Sequence, residues 1–209
     1  MMSLLNENIK RIKSIINVVE QQEWDENLEP IHGYGEEIAS GSEHKVFYVD
    51  DDFILKVPYW GWMRWPGQDI LKEFDFYIKF MKSHPDIFPD VKKLDKRRAS
   101  VERVDIDKAK KEIHYIFDVI MNHKNMRDEM YQRHGKDIII HDLYNSSRPE
   151  VINTLERLKE YGKRNNDNIV LKWYNFIMKL KKTFKDRVLD IHAGNIGIDK
   201  QGNIKLIDY

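Results

Sequence analysis

The chain has 209 residues, 41% of them apolar, which is enough for one large domain or two small lobes with a true core and excludes fibrous and disordered classes. Lys plus Arg and Asp plus Glu are equal at 35 each, so no global field draws the protein to nucleic acid or an anionic membrane, and neither is expected as a partner. The absence of cysteine removes disulfides, thiolate catalysis and cysteine-based zinc sites together, and fits a reducing compartment such as the cytoplasm.

Residues 1–27 read as a docking helix. Leu5, Ile9, Ile12, Ile16 and Val19 recur at steps of four and three from a start near Ser3, which puts them on one stripe. Lys10, Arg11 and Lys13 interrupt the apolar residues, so the segment is neither a signal peptide nor a membrane span. Glu7 and Glu20 dilute its charge, and packing on the body of the protein is the expected role.

Residues 28–104 change to a β-rich texture. Short runs from Ile38 to Pro58, broken at Gly41 and at Asp50-Asp51-Asp52, predict an antiparallel meander. A helix follows over 69–83, with Ile70, Phe74, Tyr77 and either Phe80 or Met81 on one face, and His84-Pro85 stops it. Two further strands are predicted between Pro89 and Val104.

Residues 105–209 are mostly helical. Helices are predicted over 107–132, 149–161 and 167–184, the second announced by Ser147 ahead of Pro149 and Glu150. A hairpin closes the chain, Asn195 to Asp199 and Asn203 to Ile207, joined by a Gln201-Gly202 turn. His114, His123, His134 and His141 lack any short metal-ligand spacing.

The sharpest chemical signal is Leu189-Asp190-Ile191-His192-Ala193-Gly194-Asn195, followed after the hairpin by Leu206-Ile207-Asp208-Tyr209. An acid and an amide on one loop, with a second acid beyond a nearby strand, suit phosphoryl transfer. That reaction needs one carboxylate to orient a hydroxyl and hard oxygen ligands for Mg²⁺.

The order Asp-x-His-x-x-Asn, hairpin, Ile-Asp-Tyr resembles the catalytic and metal loops of the protein-kinase-like superfamily, in its atypical, aminoglycoside-phosphotransferase-like branch and in small phage-encoded kinase-like proteins. The resemblance implies an α+β fold: an N-terminal antiparallel β-sheet lobe with one key helix, and a reduced, mostly helical C-terminal lobe. It implies Asp190 as the catalytic aspartate, and Asn195 and Asp208 as the ligands of Mg²⁺ or, in its place, Mn²⁺.

Phe53-Ile54-Leu55-Lys56-Val57 resembles the third-strand motif whose lysine pairs with the α- and β-phosphates of ATP, and Glu73 on the next helix is the carboxylate expected to position Lys56. Asp75 is the alternative, but lies about 200° away around the helix at roughly 100° per residue. Ser40, Gly41 and Ser42 occupy the place of the glycine-rich phosphate cover with a single glycine, while Glu102 and Val104 bracket the backbone expected to bind adenine.

The resemblance also has gaps. His-Arg-Asp is replaced by Val188-Leu189-Asp190, His192 is expected to brace the loop by hydrogen bonding, and the sequence stops at Tyr209, ahead of the family's activation loop and substrate helices. Trp60, Trp62 and Trp65, with Arg64, form an aromatic and cationic stretch that either packs on its own lobe or receives a protein partner. Three functions follow: a kinase acting on a protein Ser/Thr or a small-molecule hydroxyl, a nucleotide-binding pseudokinase that docks on another protein, and, last, transfer of AMP. The host cytoplasm is the expected location for a phage-encoded member.

Overall fold

Asp50 sets the first described reversal of the chain. Its Oδ1 accepts from the backbone N–H of Asp52 and of Phe53, each at 2.8 Å, so the three consecutive aspartates turn rather than extend. The computed structural model describes residues 36–40, 44–58, 70–96, 98–123, 126, 135–185, 187, 189 and 191–207; the predicted docking helix lies outside them. These residues divide into two units, one running to Ser83 and resuming over Asp90–Arg103, the other made of His84–Pro89 and the chain from Val104 onward.

The first unit is a five-stranded antiparallel sheet. Strands β1 (Glu37–Ser40), β2 (His44–Tyr48), β3 (Phe53–Pro58), β4 (Val91–Lys93) and β5 (Ala99–Glu102) lie in the order β1-β2-β3-β5-β4. Helix α1 (Ile70–Ser83) enters between β3 and β4 in the chain and packs against both. Its inward face carries Phe74, Tyr77, Ile78 and Met81, while Phe80 is only half-buried, so Met81 is the residue that completes the stripe. Each such buried apolar side chain contributes roughly 1.5–3 kcal/mol of transfer free energy.

On β3, Leu55 and Val57 join Phe47 in a small core flanked by Val49 and Leu94. Lys56 stands between them in sequence and, by the period of two, on the other face of the strand; it is nonetheless only 2% exposed.

In the second unit, helix α2 (Ile106–Asn122) is capped by Asp105, whose carboxylate accepts from the Lys108 N–H at 2.7 Å. It stops at Asn122 rather than near Gln132. His123 is extended, its N–H bonds to the Ile120 carbonyl, and its Nδ1 lies 2.7 Å from the Val119 oxygen, which closes the last turn.

A short 3-10 turn (Lys136–Ile138) leads into α3 (Ile139–Asn145), a helix absent from the sequence reading. The run Ile138-Ile139-Ile140 has poor helical propensity, and burial of Ile139, Ile140, Leu143 and Tyr144 overrides it.

Helix α4 (Pro149–Asn165) has Arg148, not Ser147, at its N-cap, and runs four residues beyond Tyr161 to a left-handed Asn166 at φ 52°. Helix α5 (Asn168–Phe184) starts at Asp167, which accepts from the Val170 N–H at 3.1 Å, and packs along α4. Glu112 of α2 ties α5 in place, accepting from the fully buried Trp173 indole and from Lys172, both at 2.7 Å.

Strands β6 (Ile196–Ile198) and β7 (Ile204–Leu206) form the expected hairpin. Between Asp199 and Asn203 the turn has three residues, 200–202, rather than the expected two. The Asp199 N–H donates to the Asn203 carbonyl at 2.9 Å, and Gly202, at φ 87°, is the left-handed residue before the return strand. Asp105 and Ile198 exchange backbone bonds of 2.8 and 3.1 Å on one side, and on the other the Leu206 N–H reaches the Ile87 carbonyl at 2.8 Å.

Among the described residues the fold is therefore α+β, a sheet with one helix in the first unit and mostly helices in the second, as the kinase-like resemblance implied. No helix among the described residues is long and apolar enough to cross a membrane.

Candidate functional site

In the sheet unit the residue of interest is Lys56. A buried ammonium must be matched by acceptors, because isolated burial of the charge is too costly to persist. The Tyr77 hydroxyl accepts from Lys56 Nζ at 2.7 Å, and the ammonium lies 4.9 Å from the Tyr77 ring centroid, combining a hydrogen bond with a cation–π contact. Strand β3 fixes the lysine at its base, pairing residue 56 with Val46 on one side and Ala99 on the other.

Tyr77 was not among the predicted site residues, although the signal was present. It lies four residues after Glu73 in the sequence of α1, one turn further along the helix. Glu73 itself lies within α1. Asp75 is engaged elsewhere, with Lys79 at 2.7 Å and with Lys93 of β4, and these partners hold its carboxyl down at about 2.

Glu102 ends β5 opposite Phe53. Its backbone N–H donates to the Asp90 carbonyl at 2.8 Å and its side chain accepts from the Asp90 N–H at 3.2 Å. The chain leaves the sheet unit after Arg103, whose N–H is tied to the Asp52 carbonyl at 2.7 Å. Val104 begins the second unit and packs on Gly197, where a Cβ would come within 2.2 Å of Val104 Cγ2. Ser40 ends β1, paired with Lys45.

In the helical unit the loop from Leu189 to Asn195 is held at successive points. The Ile191 N–H donates to the Leu189 carbonyl at 3.0 Å, the Gly194 N–H to His192 Nδ1 at 3.0 Å, and the Asn195 N–H to the His192 carbonyl at 2.9 Å. His192 thus accepts hydrogen bonds within the loop, which folds as a 3-10 turn over Ala193–Asn195. The Ile207 N–H then donates to the Asn195 carbonyl at 2.8 Å. That bond joins the backbone of Asn195 to the residue that precedes Asp208 in the chain.

Asp190, Asp208, Gly41, Ser42 and the Trp60, Trp62 and Trp65 stretch lie outside the described residues. Among the described residues no three His, Cys, Asp or Glu side chains gather as a metal-holding group. Of the four histidines named from the sequence, His134 lies outside the described residues, while His114 faces Asp137 at 2.7 Å, His123 the Val119 carbonyl at 2.7 Å and His141 Asn145 at 3.0 Å.

No protein-family model matches the chain, and no curated protein matches it. Among solved structures it is similar to the streptomycin–ATP–APH(2″)-IIa ternary complex, at 12% identity over 93% of this chain and 69% of that one. The TM-score of that match is 0.33, a likeness too low to add to the chemistry carried by the chain's own residues.

Proposed function

We propose that the protein is an ATP- and Mg²⁺-dependent phosphotransferase, with residues 28–104 as its N-terminal lobe and 105–209 as its helical lobe. Lys56, kept in place by Tyr77 and Glu73, holds the α- and β-phosphates of ATP. Ser40, Gly41 and Ser42 cover the phosphates, and the backbone between Glu102 and Val104 receives adenine. Asp190 orients the acceptor hydroxyl and takes its proton as the oxygen–γ-phosphorus bond forms and the bond from γ-phosphorus to the β-phosphate oxygen breaks, leaving ADP. The acceptor is a protein Ser/Thr or a small-molecule hydroxyl.

The observation that carries this reading is the backbone bond between Ile207 and Asn195. It supports Asn195 and Asp208 as neighbouring ligands, one offering an amide oxygen and the other a carboxylate, both hard donors of the kind Mg²⁺ or Mn²⁺ takes. Bound there, the metal would neutralise charge on the phosphate oxygens.

The test is the melting temperature with and without ATP and Mg²⁺, for wild type, Lys56→Met and Asp208→Ala. Ligand at 100 times its dissociation constant should add about 2.7 kcal/mol of stability. A magnesium-dependent rise lost in both variants is expected, followed by labelled-phosphate transfer to candidate acceptors. No rise in the wild type overturns the reading.

A further inference from the structure

We infer that Asn145 is the positioning residue of the loop from Leu189 to Asn195, clamping the backbone one residue before Asp190. The inference rests on the proposed phosphotransferase. Leu189 is buried, and its main chain meets the Asn145 side chain at both polar groups. The Leu189 N–H donates to Asn145 Oδ1 at 3.2 Å, and Asn145 Nδ2 donates to the Leu189 carbonyl at 3.0 Å. Because one partner can only donate and the other only accept, the amide has a single workable orientation.

The second Nδ2 hydrogen faces His141 Nδ1 at 3.0 Å, one helical turn back on α3. His141 must therefore accept at Nδ1, with its own proton on Nε2. The clamp has a rigid base. Lys181 of α5 donates to the Tyr144 and Ser146 carbonyls at 2.6 and 3.1 Å, capping the C-terminal end of α3, and the Tyr144 hydroxyl donates to the Arg187 carbonyl at 2.9 Å. Side chains from two successive α3 residues thus grip the chain at 187 and 189, on the approach to the loop. The Leu189 carbonyl also receives the Ile191 N–H, so the bonds at Leu189 control the backbone on both sides of position 190.

An asparagine in this role should govern turnover rather than nucleotide binding, because Lys56 and the sheet unit are untouched by its loss. The experiment follows hydrolysis of labelled Mg·ATP, with water as acceptor, in wild type, Asn145→Ala and Asn145→Asp. The aspartate variant keeps the volume but sets a carboxylate against the Leu189 carbonyl, so it serves if the alanine variant does not fold. Backbone hydrogen exchange at Leu189 and Ile191 is measured on the same samples.

A fall in kcat of about tenfold or more, with KM for Mg·ATP within about threefold, is expected, since a misplaced loop costs rate before it costs affinity. Wild-type kcat in folded variants overturns the inference, whether KM stays or rises. Absence of any Mg·ATP turnover in the wild type is a failure of the kinase reading instead. Exchange then decides the clamp alone: faster exchange confined to 189–191 in the variants supports it, and unchanged exchange overturns it.

Discussion

Lys56 gives a hydrogen from its ammonium to the Tyr77 hydroxyl at 2.7 Å while lying 4.9 Å from the centre of the same ring. One side chain of α1 thus meets the buried charge through both its polar tip and its apolar body, and the two contributions separate by substitution.

Tyr77→Phe keeps the ring and removes the hydroxyl that accepts from Lys56. It should lower stability by about 2 kcal/mol, the usual worth of a hydrogen bond to a charged group. Lys56→Met removes the cation but leaves the carboxylate that the proposal pairs with it, Glu73, uncompensated, and should lower stability by about 3 kcal/mol, the cost of removing one partner of a buried ion pair. The same variant should lose any ATP-dependent rise in melting temperature. Urea unfolding of the two variants, with and without nucleotide, reads both effects.

Asp75 should give the sheet unit an acid-dependent stability. Its carboxyl is lowered from 3.8 to about 2 by the hydrogen bond from Lys79 and then by that from Lys93. A carboxyl depressed in the folded state contributes fully above its unfolded value and loses that contribution as pH falls through the folded one. The urea midpoint of wild type should therefore fall between about pH 4 and pH 2 more steeply than that of Asp75→Asn. Equal slopes would mean that the Lys79 and Lys93 pairs do not persist in solution.

Gly197 is required by contact with its neighbour rather than by its backbone angle. A Cβ there would meet Val104 Cγ2 at 2.2 Å and Val104 Cβ at 2.7 Å. Gly197→Ala should destabilise by about 1–3 kcal/mol, the range for overpacking. Adding Val104→Ala should recover much of that loss, so the double-mutant cycle should show strong coupling. Gly202 is the opposite case, with open space around it but φ 87°, and Gly202→Ala should cost about 1 kcal/mol with no partner able to rescue it.

Glu112 should be the most costly single polar residue of the helical unit to truncate. Glu112→Ala leaves the buried Trp173 N–H and the Lys172 ammonium without the acceptor they share, at a cost of about 3 kcal/mol or more. Glu112→Gln keeps an oxygen and should lose less. Guanidinium unfolding of the pair separates the acceptor from the charge.

The sheet unit was the most legible from sequence. Alternation in Phe53-Ile54-Leu55-Lys56-Val57 and the 3.6 period of the following helix are local signals, and each keeps its side chains on the face that the period assigns. The loop around His192 was legible for the same reason, since its bonds join residues two or three apart.

Asn145 was not legible. Its partner lies 44 residues away, and its own helix begins in an isoleucine run of poor helical propensity. Tyr77 stood within reach, at i+4 from Glu73, but its phenol counts as apolar in a periodicity argument. The end of α2 was misplaced because His123 stops the helix through its own backbone and ring, not through glycine or proline.

The short segment His84–Pro89 has a consequence for dissecting the molecule. It belongs with the helical unit, where the Lys205 ammonium donates to the Pro85 carbonyl at 2.6 Å, yet the chain on both sides of it belongs with the sheet. The polypeptide therefore crosses from one unit to the other three times, after Ser83, after Pro89 and after Arg103. No single cut yields two intact modules. A fragment beginning at Val104 would carry β7 without its Ile87 partner and a Lys205 charge stripped of its carbonyl, so shuffling of these halves, by recombination or by design, must move the six-residue strap along with the helices it serves.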